Sequence, residues 1–179
     1  MDLSKLSIGK NAPDVVNVVI EIPQGAAPVK YEVDKDSGAL LVDRFMSTAM
    51  FYPANYGFVP HTLSGDGDPC DVLVVTPVPI TYGAVVASRP IGVLLMKDES
   101  GQDEKIIAVP IEKLSPFTAH IKTLKDLPPI LLEQIEHFFK HYKDLEKGKW
   151  VEILRWGDAD EARALIKEGC SRLEKEKAA

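Results

Sequence analysis

Three aspartates fall within the six residues Asp66-Gly67-Asp68-Pro69-Cys70-Asp71, and the apolar run Val72-Leu73-Val74-Val75 follows at once. Two carboxylates about 4 Å apart repel by about 4 kcal/mol at an effective dielectric of about 20, so the cluster stays ionised only with positive charge beside it. Hard divalent cations, which favour oxygen donors, are the natural counter-charge. An isolated Asp-Gly-Asp would read as an ordinary turn, since these residues are common turn formers. Here a second acid-rich turn, Asp98-Glu99-Ser100-Gly101-Gln102-Asp103, lies between the apolar stretches 91–96 and 106–109 and has the pattern of a hairpin tip.

The elements that must carry these turns are strands over the first two-thirds of the chain. Short apolar runs at 15–22, 29–33, 39–45, 72–76, 85–95 and 105–109 are separated by turn residues, with Pro90 marking a bulge or break. The segment Asp34-Lys35-Asp36-Ser37-Gly38 is a hairpin connection, and strands joined this way predict a barrel or sandwich. The stretch from Tyr52 to Pro60, rich in Pro, Gly and Asn, reads as a shaped loop or wall. Leu131, Ile135, Phe138 and Tyr142 then form one apolar stripe on a helix beginning near Pro128-Pro129. A second helix opens with Asp158 and Glu161 in capping-box spacing and runs through Ala162, Leu165 and Ile166. The fold class expected is α+β, mainly β, with a barrel core and two principal C-terminal helices outside it.

Strand alternation sorts the charges onto faces. Lys30 and Glu32 share one face of their strand, Arg44 lies opposite Phe45 and Leu41, and Glu21 sits between Ile20 and Ile22. Asp103 and Lys105 share a face at the hairpin, with Asp98 across from them. Taken one at a time these are ordinary solvent-facing charges. Taken together they suit a metal-bound phosphate, carboxylates holding metals while Arg and Lys take phosphate oxygens. By pattern alone Tyr142 continues the helix stripe and Lys143 is a solvated charge.

Composition narrows the classes. With 179 residues, 45% of them hydrophobic, the chain is expected to form a single domain over 1–179 without disulfide staples. The start lacks a secretory pattern and no apolar run is long enough for a bilayer, so a soluble cytoplasmic protein with no membrane partner is expected. Cys70 and Cys170 form no Cys-x-x-Cys pattern and read as small buried hydrophobes. The formal net charge of −6 argues against non-specific nucleic-acid binding. An EF-hand is excluded because its central Gly and terminal Glu positions, counted from Asp66, hold Asp71 and Pro77. His137 and His141 are one helical turn apart, yet Phe138 stands where a zinc protease motif places Glu. The alternative reading is an OB-like, metal-dependent module binding polyphosphate or nucleic acid, with Lys30, Arg44 and the tyrosines as its contact surface.

The stretch from Asn55 to Val74, with its Asp-x-Asp-Pro-x-Asp motif at Asp66 to Asp71, closely resembles the hallmark region of soluble family I inorganic pyrophosphatases of bacterial type. The resemblance runs from about Val15 to Lys143, and Cys70 stands where an aliphatic residue is more common. It implies a five-stranded OB-like barrel that hydrolyses pyrophosphate to two phosphates with several Mg²⁺ ions. Mn²⁺ or Zn²⁺ would be possible substitutes and Ca²⁺ an inhibitor. Carried over by motif, Asp66, Asp71 and Asp103 hold the tightest metals, Asp98 and Glu32 bind those arriving with substrate, and Glu21 is an outer carboxylate. Asp68 is implied as the general base. Lys30, Arg44, Tyr142 and Lys143 are implied to grip phosphate, and Tyr56 and Lys105 to act near the attacked phosphorus. A homohexamer built from two trimers is implied as well, with the helix bearing His137 and His141 facing a neighbour.

Overall fold

The computed structural model describes residues 2–178. Eight strands among them are β1 (Val16–Ile22), β2 (Val29–Val33), β3 (Leu40–Phe45), β4 (Asn55–Phe58), β5 (Asp71–Val74), β6 (Val85–Asp98), β7 (Gly101–Pro110) and β8 (Val151–Asp158). Helix α1 spans Pro129–His141 and α2 spans Ala159–Ala178. The large sheet runs β1-β4-β5-β7-β6-β8, and a further β1–β6 pairing closes its first five strands into a ring. Closure leaves no unpaired edge among those five strands, while β8 extends the sheet beyond β6 and β2–β3 stands apart as a two-stranded ribbon. This is the mainly β class expected, with its five-stranded ring and two helices.

The apolar alternation of these strands fills two faces. One cluster packs Ile22, Leu73, Leu94, Met96 and Ile107 against Ile135, Phe138 and Phe139 of α1. The other packs Val18, Val72, Val93, Ile106 and Ala108 against Ala162 and Ile166 of α2. Each helix therefore covers one patch of the ring. Its start signals work as written: Pro129 opens α1, and Asp158 Oδ1 accepts the Glu161 amide at 2.9 Å to begin α2.

Two expectations are revised. Residues 55–58 are not a loop but β4, hydrogen-bonded to β1 on one side and β5 on the other. Gly57 makes this possible, because a Cβ there would lie 1.8 Å from the Val19 carbonyl oxygen. Asn55 Nδ2 donates to Val74 O at 3.1 Å and to Thr76 Oγ1 at 2.7 Å, tying the polar start of β4 into the ladder. Strand β8 was not anticipated at all, since most of its residues are exposed or only partly buried. Cys70 is buried as expected, but Cys170 is only partly so. Pro90 does mark a break, as the β6–β7 register slips between Pro90 and Gly92.

Candidate active site

The β5–β7 pairing is parallel and sets Asp71 beside Lys105. Asp103 lies two residues before Lys105, on the same face of β7. The Lys105 ammonium accordingly sits between Asp71 and Asp103 and donates to both carboxylates, with only 4% of its side chain exposed. Its Nζ also lies 5.6 Å from the Phe139 ring centre and 5.8 Å from that of Tyr56. Burial opposes the charge, but Asp103 and Asp71 outweigh it and hold the Lys105 pKa well above the ordinary value. Burial pushes Asp71 upward, with Lys105 resisting.

Two bulges aim further side chains at the same place. The β1–β4 register shifts between Ile20 and Ile22, which frees Glu21 from the alternation. Glu21 is buried and accepts the Val33 amide at 2.7 Å. Burial takes its pKa to about 8. In the ribbon, Lys30 faces Arg44 and the register then slips, leaving Asp43 as the extra residue. Lys30 bonds Glu32, while Arg44 reaches Asp43 at 2.9 Å and Glu146 at 3.1 Å.

At the β6–β7 tip, Asp98 is paired with Lys143 at 2.7 Å, and Lys143 with Glu99 at 3.6 Å. Tyr142 caps α1 and Lys143 follows it, so the helix end delivers both. Tyr142 is stacked on Phe138 at 5.2 Å and its carbonyl accepts from Thr48 at 3.0 Å. Burial raises the phenols of Tyr56 and Tyr142. In the 66–71 loop Asp66 Oδ1 accepts the Asp68 amide at 3.0 Å, and Asp68 itself pairs with Lys35 at 2.9 Å.

These groups line one cavity of about 270 Å³. Every residue singled out from the sequence reaches it: Glu21, Lys30, Glu32, Arg44, Tyr56, Asp66, Asp68, Asp71, Asp98, Asp103, Lys105, Tyr142 and Lys143. Tyr52, from the stretch read as a loop or wall, lines it too, as do Lys35, Glu99 and Lys149, to which no role had been given. Lys35 and Glu99 lie within the charged turns already noted, which was the available signal, whereas Lys149 follows a Gly in an otherwise featureless charged stretch. Eight carboxylates and six cations among the described residues line the walls, two formal negative charges in excess.

The donor set is one of hard oxygens, and Glu99 Oε2 is buried without a hydrogen-bond partner. Among the described residues no three His, Cys, Asp or Glu side chains form a ready cation cage. Lys105 instead occupies the space between Asp71 and Asp103. The excess of carboxylates and the orphaned Glu99 oxygen fit divalent cations, and a polyanionic substrate would add to the negative charge they must offset.

A family model described as inorganic pyrophosphatase matches residues 18–174. An inorganic pyrophosphatase from Caulobacter vibrioides is 60% identical over 172 residues, covering 96% of this chain and 97% of that protein. One from Bradyrhizobium diazoefficiens is 59% identical over 177 residues, with 99% of both chains covered. The crystal structure of an inorganic phosphatase from Anaplasma phagocytophilum superposes with a TM-score of 0.93 at 50% identity, over 95% of this chain and 99% of that one. No helix among the described residues is long and apolar enough to cross a membrane. The matched region contains both acidic turns, the ribbon and the end of α1, so the chain belongs to the inorganic pyrophosphatase family.

Proposed function

We propose that this enzyme hydrolyses inorganic pyrophosphate to two phosphates with Mg²⁺ as its working metal and Asp68 as general base. The observation that carries the reading is the meeting, at one cavity, of acidic turns 32 residues apart with cations from the ribbon, β7 and the end of α1. Asp66, Asp71 and Asp103 would hold the tightest metals, and Asp98 and Glu32 those that arrive with substrate, with Glu21 behind them. When bound, Mg²⁺ supplies charge neutralisation at phosphate oxygens and makes water more acidic.

The chain's own groups do the rest. Arg44 offers a planar fork to two phosphate oxygens once Asp43 and Glu146 release it, and Lys30 and Lys143 contribute point charges. Lys105 and the Tyr56 phenol, both buried, would stabilise charge developing on the attacked phosphate. Asp68, at the exposed mouth with its carboxylate paired to Lys35, would take a proton from an attacking water. Asp71 is already held by Lys105, which suits it to a fixed ligand role instead.

We assign the working form to the cytoplasm as a homohexamer of single-domain subunits, on the family resemblance. The direct test is phosphate release from pyrophosphate with Mg²⁺, with Mn²⁺, with Ca²⁺ and in excess EDTA. Release with Mg²⁺ that vanishes in EDTA is expected. Equal release in EDTA would remove the metal from the mechanism, and no release with any divalent ion would remove the activity.

A further inference from the structure

Helix α2 contributes no residue to the cavity, yet its C-terminal half grips the loop that carries Asp66 and Asp68 and leads into Asp71. Both main-chain polar groups of Leu63 are taken by this helix. The Leu63 amide donates to Gly169 O at 3.0 Å, and Arg172 Nη1 donates to Leu63 O at 2.7 Å. Across the base of the loop, the Val59 amide donates to Cys70 O at 3.0 Å. Thr62 Oγ1 reinforces that closure by donating to Val59 O at 2.7 Å and accepting the Cys70 amide at 2.9 Å.

Gly169 is where this contact is tightest. It is buried, and a Cβ there would lie 2.8 Å from Cys70 Sγ, 3.1 Å from Thr62 Cβ and 3.4 Å from Leu63 O. A glycine inside a helix costs about 1 kcal/mol relative to alanine, so the sequence gives up helix stability here for close approach. What lies against it is the residue immediately before Asp71 and the threonine that ties the loop shut.

We propose that Gly169 and Arg172 are positioning residues for the metal loop, fixing Asp66 and Asp71 through Cys70 and Leu63. The inference rests on the reading that Asp66 and Asp71 hold metal. Pushing Cys70 outward moves Asp71 against Lys105, and releasing Leu63 lets the loop swing at Ser64, whose amide is bound to Asp68 O at 2.6 Å. Either change spoils a preset ligand geometry without touching a ligand, as outer-shell losses do at other metal sites.

The test is Mn²⁺ affinity of the substrate-free protein, read by electron spin resonance of unbound ion, beside the metal requirement of activity. Gly169→Ala is expected to weaken Mn²⁺ binding by about tenfold, the lower end of outer-shell effects, with turnover at saturating metal near normal. Adding Cys70→Ala removes the sulfur that the new methyl meets and should restore affinity. Arg172→Met leaves the helix packing alone and should weaken binding in the same direction, so it decides the matter if Gly169→Ala does not fold. A folded Gly169→Ala with lowered melting temperature but normal Mn²⁺ affinity overturns the proposal, as does normal affinity in Arg172→Met. If Asp71→Asn also leaves affinity unchanged, the metal-site reading itself has failed and the positioning role falls with it.

Discussion

Asp68 and Asp71 are three residues apart, and the structure gives them different circumstances. Asp71 is locked against a buried ammonium, whereas Asp68 stands at the mouth with one exposed lysine partner. Replacing each by Asn should therefore separate base from ligand. Folded Asp68→Asn is expected to bind metal normally while kcat falls by roughly 10²- to 10⁴-fold, the span of general acid–base catalysis. Asp71→Asn should lose metal affinity and recover part of its activity at high Mg²⁺. Titrating both variants with Mg²⁺ checks this, and equal rescue of the two would make Asp68 a ligand. Glu21 provides a second residue-scale test, through stability. Its folded pKa of about 8 stands above the usual 4.5, so the folded chain keeps a proton that the unfolded chain gives up. The stability gained from this is full below about pH 4.5 and is lost as pH rises through about 8. In chelator, Glu21→Gln should flatten that decline, by on the order of 1–3 kcal/mol between the two ends, in urea melts run at pH 5 and pH 8.

At the scale of elements, the strands with clean alternation and the two helices were legible, because burial on one face imposes a period that residue order displays. Strand β4 was not, since Pro53, Asn55 and Gly57 break the apolar pattern and propensity argues for a loop. What makes it a strand is tertiary: partners on both sides and a glycine where β1 comes within bonding distance of any added carbon. Gly57→Ala should accordingly cost at least about 3 kcal/mol of stability, the upper end of overpacking penalties, because the obstacle is a backbone oxygen with little room to move. Equilibrium unfolding in urea measures it, and a loss under about 1 kcal/mol would mean that β1 and β4 can part there. The site was legible in a different way. Residue types and the motif named its members, but periodicity treated Glu21, Arg44 and Lys143 as surface charges. Only the bulges, the parallel β5–β7 register and the end of α1 make them converge, and those are long-range pairings that local sequence does not encode. Lys35 reads as an ordinary solvated charge because it lies between two aspartates, and Lys149 because a lysine between Gly148 and Trp150 carries no pattern at all.

At the scale of the whole molecule, the two apolar clusters pack the ring against α1 and α2, and none of the cavity carboxylates belongs to either, although Tyr56, Phe139 and Tyr142 of the first also line the cavity. The fold is thus expected to survive EDTA, its far-ultraviolet circular dichroism unchanged while activity disappears. The assembly proposed above would draw on another part of the surface. Phe51 and Ile130 are more than half exposed, and they line an open hollow with Met50, Pro53 and His137. An apolar hollow of this kind suits burial against a second copy of the chain. His137 lies 4.6 Å, ring centre to ring centre, from His141, and Glu133 borders the same hollow. His141 is bonded to Asp144 at 2.8 Å. If the proposed hexamer uses this hollow, Ile130→Glu is expected to lower the sedimenting mass at neutral pH, because it sets a charge in the apolar lining. Sedimentation velocity decides: a wild-type monomer removes the assembly, and a folded Ile130→Glu variant with the wild-type mass places the hollow outside any interface.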